Sequence, residues 1–429
     1  MLSSAASLSD WLTWLETLSP KEIDLGLERV HLLLERLQPG RPEHVLLVAG
    51  TNGKGSSVAM ADALLRASGK RVGAYTSPHV IHYNERIVVN GKAVDDKTII
   101  TAFEQVEAAR ADTELTYFEF GTLAAVVIFA AADLDVWLLE VGLGGRLDAT
   151  NAIDPTASLI TNVSLDHCDW LGDDIETIAV QKAGVMRSGR PTVFGAYDAP
   201  DSIVQQAEAC GATLMLAGVD FDLSDGANDC WNWRAPGRAL EALHRPGLLG
   251  EFQVGNASAV LMLLEAAGLA GAIDARLVNS VLPAVSLTGR SERLTCAGVE
   301  WLLDVAHNPA AAEMLAATLA AMEVDGETIA IVGLLDDKNV AGVIEPLATH
   351  VSSWIAMTAD SHRAVPAHEL ARQVANLIEG PCLVAGTAEE AIEFARRKAS
   401  ENDRILVTGS FFTVAPVISC LAAHPRTEI

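Results

Sequence analysis

The sequence predicts an α/β protein in two parts. Residues 1–287 read as an N-terminal P-loop domain with a mainly parallel sheet and a small β-rich part, and residues 288–429 as a C-terminal Rossmann-like doubly wound domain. Three observations carry this. A short apolar run, Val45 to Val48, enters a Gly-rich turn and then a helical stretch through about Ser68. Apolar strands alternate with helical stretches, the signature of a buried parallel sheet. The alternation occurs twice, on either side of residue 287.

In chain order, a helical leader is expected over Trp11 to Leu37, and further strands at Val72 to Thr76, Asp135 to Val141 and Ala157 to Val163. Helices are expected over Asp96 to Ala109, Glu119 to Ala131 and Ile175 to Arg187. Between Arg190 and Arg234 there is no Lys or Arg but there are seven acids, which reads as short strands and loops with a solvated acidic face. A helix resumes over Gly255 to Ala267. The segment Pro283 to Glu292 is the expected hinge. Beyond it come strands at Trp301 to Val305, Thr328 to Gly333, Ser353 to Thr358, Cys382 to Gly386 and Arg404 to Gly409, each followed by a helical stretch.

Composition narrows the function. Acids outnumber Lys and Arg 56 to 30, a formal charge of −26, which argues against a surface built to neutralise nucleic-acid phosphates. Half the residues are apolar, enough for a large core. The longest strongly apolar run, Leu123 to Ala132, is half of the roughly 20 residues a bilayer needs, so no membrane partner is expected. The N-terminal MLSSAASLSD lacks a signal peptide's basic and apolar regions. The six cysteines show no CxxC spacing, which reads as reduced thiols in a cytoplasmic protein.

The chemistry-bearing segment is Gly50-Thr51-Asn52-Gly53-Lys54-Gly55-Ser56-Ser57. Between a strand and a helix, glycines let backbone N–H groups approach a phosphate, and a lysine reaches the outer phosphates. The match to the generic phosphate loop is imperfect: Val48 stands where its first Gly belongs, and Gly55 where Ser or Thr should follow the lysine. Glu140 and His167 follow apolar strands at the edge where open α/β sheets bind ligands, and Ser77 follows a third.

Thr51 to Ser56 closely resembles the signature of folylpolyglutamate synthase and dihydrofolate synthase, within the Mur ligase superfamily. The likeness continues through Thr76-Ser77-Pro78-His79, Tyr117-Phe118-Glu119, the block Leu139 to Asn151, Asn162 to His167, Lys182-Ala183-Gly184 and Asp304 to Pro309. One departure is Thr288-Gly289-Arg290, where members commonly carry a Pro before Gly-Arg. The resemblance implies ATP-dependent amide formation between a pteroate or folate carboxylate and L-glutamate through an acyl phosphate, with 7,8-dihydropteroate and reduced folates as acids. It implies a cytoplasmic monomer.

By resemblance, ATP contacts fall to Thr51, Asn52, Gly53, Lys54, Gly55, Ser56, Asn256, Arg290 and Asp304, and two Mg2+ ions to Ser77, Glu140 and His167. Lys54, Glu140, His167 and Lys182 are the expected catalytic groups, with Lys182 as an N6-carboxylysine. The pteroate pocket is expected from Asp24, Leu25, Gly26 and Leu27, from Thr116, Tyr117, Phe118 and Glu119, and from Leu147, Asp148 and Ala149. His307 and Ser410 are expected on the glutamate side. Two alternatives stand beside this reading. A cell-wall Mur ligase needs a nucleotide-sugar domain before the loop, and the 49 residues ahead of Gly50 are too few. A P-loop ATPase switch would need no second α/β domain delivering an amino acid. Lys182 has its own residue-level reading: it falls on the stripe of Ile178, Ala179, Val185 and Met186, where either its ammonium snorkels to water or desolvation favours the neutral amine that takes up CO2.

Overall fold

A computed structural model describes residues 6–19, 21 and 23–423. The chain divides into two compact units. The first runs through Ser164, then Cys168–Pro246 and Val254–Val285. The second takes Leu165–His167, Gly247–Gln253 and the chain from Ser286 onward.

The first unit is built on an eight-stranded sheet: β1 (His44–Ala49), β2 (Val72–Tyr75), β3 (Ile87–Val89), β4 (Lys92–Ala93), β5 (Val136–Glu140), β6 (Ala157–Ile160), β7 (Pro191–Phe194) and β8 (Thr213–Leu216). Their order is β4-β3-β2-β5-β1-β6-β7-β8. All neighbours pair in parallel except β2 with β3 and β3 with β4. The apolar central strands are buried on both faces, so they read as continuous apolar runs. Alternate residues Val45, Leu47 and Ala49 of β1 join a core with the helices Leu8–Leu18, Glu28–Leu37, Asp96–Arg110 and Tyr117–Ala131. The helix Lys54–Ala67 packs on β1, β2 and β5.

The three-stranded antiparallel sheet of β9 (Asp222–Asp225), β10 (Trp231–Ala235) and β11 (Arg238–Leu243) is the expected β-rich part. Trp231 and Trp233 are its anchors, fully buried, with indole N–H groups donating to the His244 and Ser258 carbonyls at 3.1 Å. Trp233→Phe is expected to cost about 1–3 kcal/mol, since a buried acceptor loses its donor, and thermal unfolding would show the lower midpoint.

The second unit carries a six-stranded sheet of β12 (Glu292–Cys296), β13 (Val299–Leu303), β14 (Thr328–Val332), β15 (Ser353–Met357), β16 (Cys382–Ala385) and β17 (Arg404–Thr408). The order β12-β13-β17-β14-β15-β16 is parallel apart from β12 with β13. Helices on both faces close two apolar cores, one around Leu315, Ile344 and Leu370, the other around Ile392, Val414 and Trp301.

Four sequence expectations are corrected. The leader is two helices, because Ser19 is extended ahead of Pro20, as a residue before proline tends to be; Pro20 and Glu22 themselves lie outside the described residues. The helix begun at Ile175 stops at Ala183, since Gly184 must pass close to the Arg146 backbone: a Cβ there would lie 2.4 Å from the Arg146 Cα. The acidic stretch holds a regular helix, Asp201–Cys210, opened by Asp201 and ended by Gly211 in the left-handed region. Finally, the expected hinge ends in β12, an edge strand with alternating exposure whose charged residues hid its pattern.

Candidate functional site

The phosphate loop is held from below by the chain leaving β6. The Thr161 hydroxyl donates to the Asn52 carbonyl at 2.6 Å, Asn162 exchanges hydrogen bonds with Asn52 at 3.0 Å, and Ser164 N–H donates to the Thr51 hydroxyl at 3.0 Å. Two glycines are required here. Gly50, at φ +141, would put a Cβ 1.8 Å from the Thr161 hydroxyl, and Gly53, at φ +84, would put one 2.7 Å from the Asn256 amide. Asn256, buried on the helix Phe252–Ala266, therefore stands against the loop. Gly53 caps the helix Lys54–Ala67 with no side-chain bond to its first N–H groups. The Lys54 ammonium is folded onto the Gly50 and Thr51 carbonyls, 3.1 Å from each.

Glu140 ends β5 and is 3% exposed. Its carboxylate accepts the Ser77 N–H at 3.1 Å and lies 3.7 Å from where a Cβ on Gly55 would stand. The glycine thus opens space between the carboxylate and the start of the helix. Glu140, Ser77 and the loop are brought together; His167, in the left-handed region at φ +52, belongs to the second unit. Among the described residues no group of three or more His, Cys, Asp or Glu is placed to hold a metal. Magnesium takes one or two carboxylates and fills its shell with water and phosphate oxygens. A buried carboxylate facing a glycine cradle at a phosphate loop fits such an ion.

Lys182 is 3% exposed, with Ile178, Ala179, Val185 and Met186 buried beside it, so it does not reach water by snorkelling. The end of its helix is fastened to the loop after β5. Arg146 N–H donates to the Gln181 carbonyl at 2.8 Å, and Gly145 passes so near that a Cβ would meet the Lys182 carbonyl at 3.0 Å.

The three segments expected to line the pteroate pocket gather at one end of the helix Tyr117–Ala131, but several of their side chains are engaged structurally. Thr116 and Glu119 form a capping box: Thr116 N–H donates to Glu119 at 2.8 Å, and Glu119 N–H to the Thr116 hydroxyl at 3.2 Å. Arg29, which the sequence reading missed, joins Glu119 (2.9 Å) to Asp24 (2.9 Å) and ties two segments together. Leu25, Gly26 and Leu27 follow Asp24 half-buried. Asp148 is buried and accepts from Leu143 N–H, Thr150 N–H and the Thr150 hydroxyl; burial, opposed by these bonds, raises its carboxyl. Ala149 is core, whereas Leu147 is exposed. Phe118 covers Gly142, where a Cβ would strike its ring at 2.6 Å.

Beside this end lies a cluster of which the sequence pointed only to His79 and Tyr117. Arg86, 8% exposed, stacks over the rings of Tyr83 and Tyr117 at 5.3 and 5.5 Å, and its Nε donates to His79 Nδ1 at 2.8 Å. Burial, aided by the Arg86 charge, lowers His79 to about 4. The Glu85 carboxylate accepts the Val80, Ile81 and His82 N–H groups and closes the loop that carries Ser77. The only sequence hint was that Tyr83, Glu85 and Arg86 follow the Ser77-Pro78-His79 motif closely.

In the second unit, Asp304 directly follows β13 and receives Ser291 N–H (2.8 Å), the Ser291 hydroxyl (2.9 Å) and Ala306 N–H (2.8 Å). Burial raises its carboxyl, against the opposing charge of Arg290. Arg290 itself lies over Phe411 at 5.2 Å. The Ser410 hydroxyl is spent on Thr413 (2.7 Å) and the Gly333 carbonyl (3.3 Å), inside the turn that starts the last helix. His307 Nδ1 lies 2.8 Å from the Val305 carbonyl and its Nε2 3.5 Å from Asp166. Asp166 also takes Lys338 at 2.9 Å and Asn308 at 2.9 Å. Burial alone would raise Asp166, but the His307 bond and the His167, His307 and Lys338 charges outweigh it and hold the carboxyl well below its usual range. Lys338, nearly buried between Asp166 and Asp337, is a second residue the sequence reading missed.

Comparison with known proteins places this geometry. Residues 48–264 match the Mur ligase middle domain and residues 289–411 the Mur ligase glutamate ligase domain. The dihydrofolate synthase/folylpolyglutamate synthase of Escherichia coli K12 is 39% identical over 426 residues, covering 98% of this chain and 97% of the relative. That of Haemophilus influenzae is 34% identical, covering 96% and 97%. Among solved structures, E. coli FolC in complex with DHPP and ADP superposes with a TM-score of 0.92 at 37% identity, covering 99% of each chain. A bifunctional folylpolyglutamate synthase/dihydrofolate synthase with Mn, AMPPNP and L-glutamate bound gives 0.90 at 39% identity, covering 98% of this chain and 99% of that one. The chain belongs to the dihydrofolate synthase/folylpolyglutamate synthase family of the Mur ligases.

Proposed function

We propose that this protein joins L-glutamate to 7,8-dihydropteroate, giving dihydrofolate, and to reduced folates, extending their glutamate tails, with ATP converted to ADP and phosphate. A carboxylate is a poor acyl donor to an amine because oxide would have to leave. Transfer of the ATP γ-phosphoryl group to the carboxylate gives an acyl phosphate, and attack by the glutamate amine then expels phosphate. The residues must gather anions and shield one from another. Lys54 and the N–H groups of residues 51–56 receive the ATP phosphates once Lys54 leaves its own loop carbonyls. Asn256, Arg290 and Asp304 are the further nucleotide contacts this reading assigns. Bound divalent cations would supply charge neutralisation on the phosphates; Ser77, Glu140 and His167 would hold them, as two Mg2+ ions. Lys182, carrying a carbamate, orients that site. The pteroate lies along Asp24–Leu27, Thr116–Glu119 and Leu147–Ala149, and glutamate meets His307 and Ser410.

The observation that carries this reading is the buried Glu140 carboxylate, bonded to Ser77 and facing the glycine cradle of the phosphate loop. Among the described residues no helix is long and apolar enough to cross a membrane. Expression in a strain lacking dihydrofolate synthase is expected to restore growth. Failure to grow, with tetrahydrofolate extension intact in vitro, would reduce the function to tail extension alone. Activity is also expected to fall to background in excess EDTA and to return with added Mg2+.

A further inference from the structure

A guanidinium taken out of water needs a partner, because its charge is costly to bury unpaired. Arg86 is 8% exposed, yet among the described residues no carboxylate pairs with it. Its Nε is committed to His79 Nδ1 at 2.8 Å, and among the described residues its two terminal nitrogens have no hydrogen-bond acceptor. The guanidinium carbon lies 5.3 and 5.5 Å from the centroids of the Tyr83 and Tyr117 rings, which stand at 85° to one another. The free edge is therefore a planar pair of N–H donors beside aromatic walls. One of those walls, Tyr117, lies in the segment assigned above to the acid substrate.

We propose that Arg86 is a specificity-determining residue that binds the pterin ring of the acid substrate through the ring's adjacent O4 and N5 acceptors; this rests on the ligase reading above. A planar fork of two N–H donors suits two adjacent in-plane acceptors, as arginine suits the O6 and N7 edge of guanine. The substrate carboxylate is the weaker match. It must attack phosphorus, and two charge-assisted hydrogen bonds from a buried arginine would withdraw the electron density that attack requires. In 7,8-dihydropterin, N5 is an imine with a lone pair in the ring plane, so both acceptors are present; in tetrahydrofolate N5 carries a hydrogen and the fork keeps O4 alone. A methyl or formyl group on N5 blocks that edge, so the enzyme discriminates against N5-substituted folates.

The test measures steady-state kinetics of Arg86→Gln and Arg86→Lys with dihydropteroate, tetrahydrofolate and 5-formyltetrahydrofolate, alongside thermal midpoints. The expected result is a KM for dihydropteroate raised about tenfold to a hundredfold in both variants, the range one bidentate base-edge contact gives. KM for ATP and glutamate should stay within twofold, and the preference over the N5-formyl acid should narrow. Calorimetric titration should show 6-hydroxymethyl-7,8-dihydropterin, which has no carboxylate, losing affinity for Arg86→Lys, while p-aminobenzoate does not. Arg86→Lys keeps a cation on the tyrosine rings, so it carries the test alone should Arg86→Gln fail to fold. An unmoved dihydropteroate KM, an equal rise for all three substrates, or a loss confined to p-aminobenzoate would overturn the proposal. A wild-type protein that turns over neither acid with glutamate would instead end the ligase reading itself.

Discussion

Lys182→Ala is expected to fold normally and to lose about a hundredfold to a thousandfold in kcat, the scale on which single preorganised electrostatic groups act in active sites. The side chain is 3% exposed among Ile178, Ala179, Val185 and Met186, at a helix end fastened to the loop that follows Glu140. A permanent ammonium buried there would compete with the cation that Glu140 is suited to hold. Burial disfavours a charged group, and on the ligase reading a neutral amine there would add CO2 and release a proton to become a carbamate, an anion that would help hold the metal. Truncation to alanine removes that anion and leaves space for a small acid. Acetate or propionate is therefore expected to restore part of the lost acyl-phosphate formation, measured as ADP release. Near-normal activity in the variant, or a crystal structure with a bare Lys182 amine pointing into solvent, would contradict the carbamate.

Gly50→Ala is expected to raise KM for ATP by about tenfold or more. A backbone at φ +141 strains a residue with a Cβ by roughly 1–3 kcal/mol, and the new atom would lie 1.8 Å from the Thr161 hydroxyl. That hydroxyl is the one holding the Asn52 carbonyl, so it cannot yield without carrying the phosphate loop with it. Gly69→Ala is the control. Gly69 sits at φ +90 with nothing within 4 Å of an added Cβ, so the change should lower the thermal midpoint modestly and leave ATP binding alone. Equal effects of the two substitutions on KM would show that the loop tolerates displacement.

The parts of the fold most legible in the sequence were those whose local pattern and tertiary environment agree. The buried central strands read as apolar runs, and strands β1, β2, β5, β14, β15 and β17 fall within a residue of their expected bounds. Less legible were elements whose pattern is set at an edge. β12 alternates half-buried and exposed residues at a sheet margin and opens with two charges in a row, and the helix Asp201–Cys210 was masked by the charge count of its surroundings, although Asp201 and Gly211 marked its ends. Site residues in strand-end motifs were readable by position: Glu140 ends its strand, Lys54 opens its helix, and Asp304 stands just past the end of β13. Residues that act across long sequence separations were not. Arg29 meets Glu119 from 90 positions away, and Lys338 meets Asp166 from 172. Nothing local to Lys338 marks it as a partner. The Glu119 and Asp148 carboxylates are tied into caps and turns and hold the backbone of the segments expected to line the pteroate pocket.

The central claim is that phosphoryl transfer to a pterin-bearing acid is coupled to capture by glutamate. The most direct measurement is ADP release with 7,8-dihydropteroate and with tetrahydrofolate, each with and without L-glutamate, followed alongside amide product. Multiple turnovers are expected only when acid and glutamate are both present, with one amide formed per ADP. Sustained ADP release without either co-substrate, and no amide product, would contradict it.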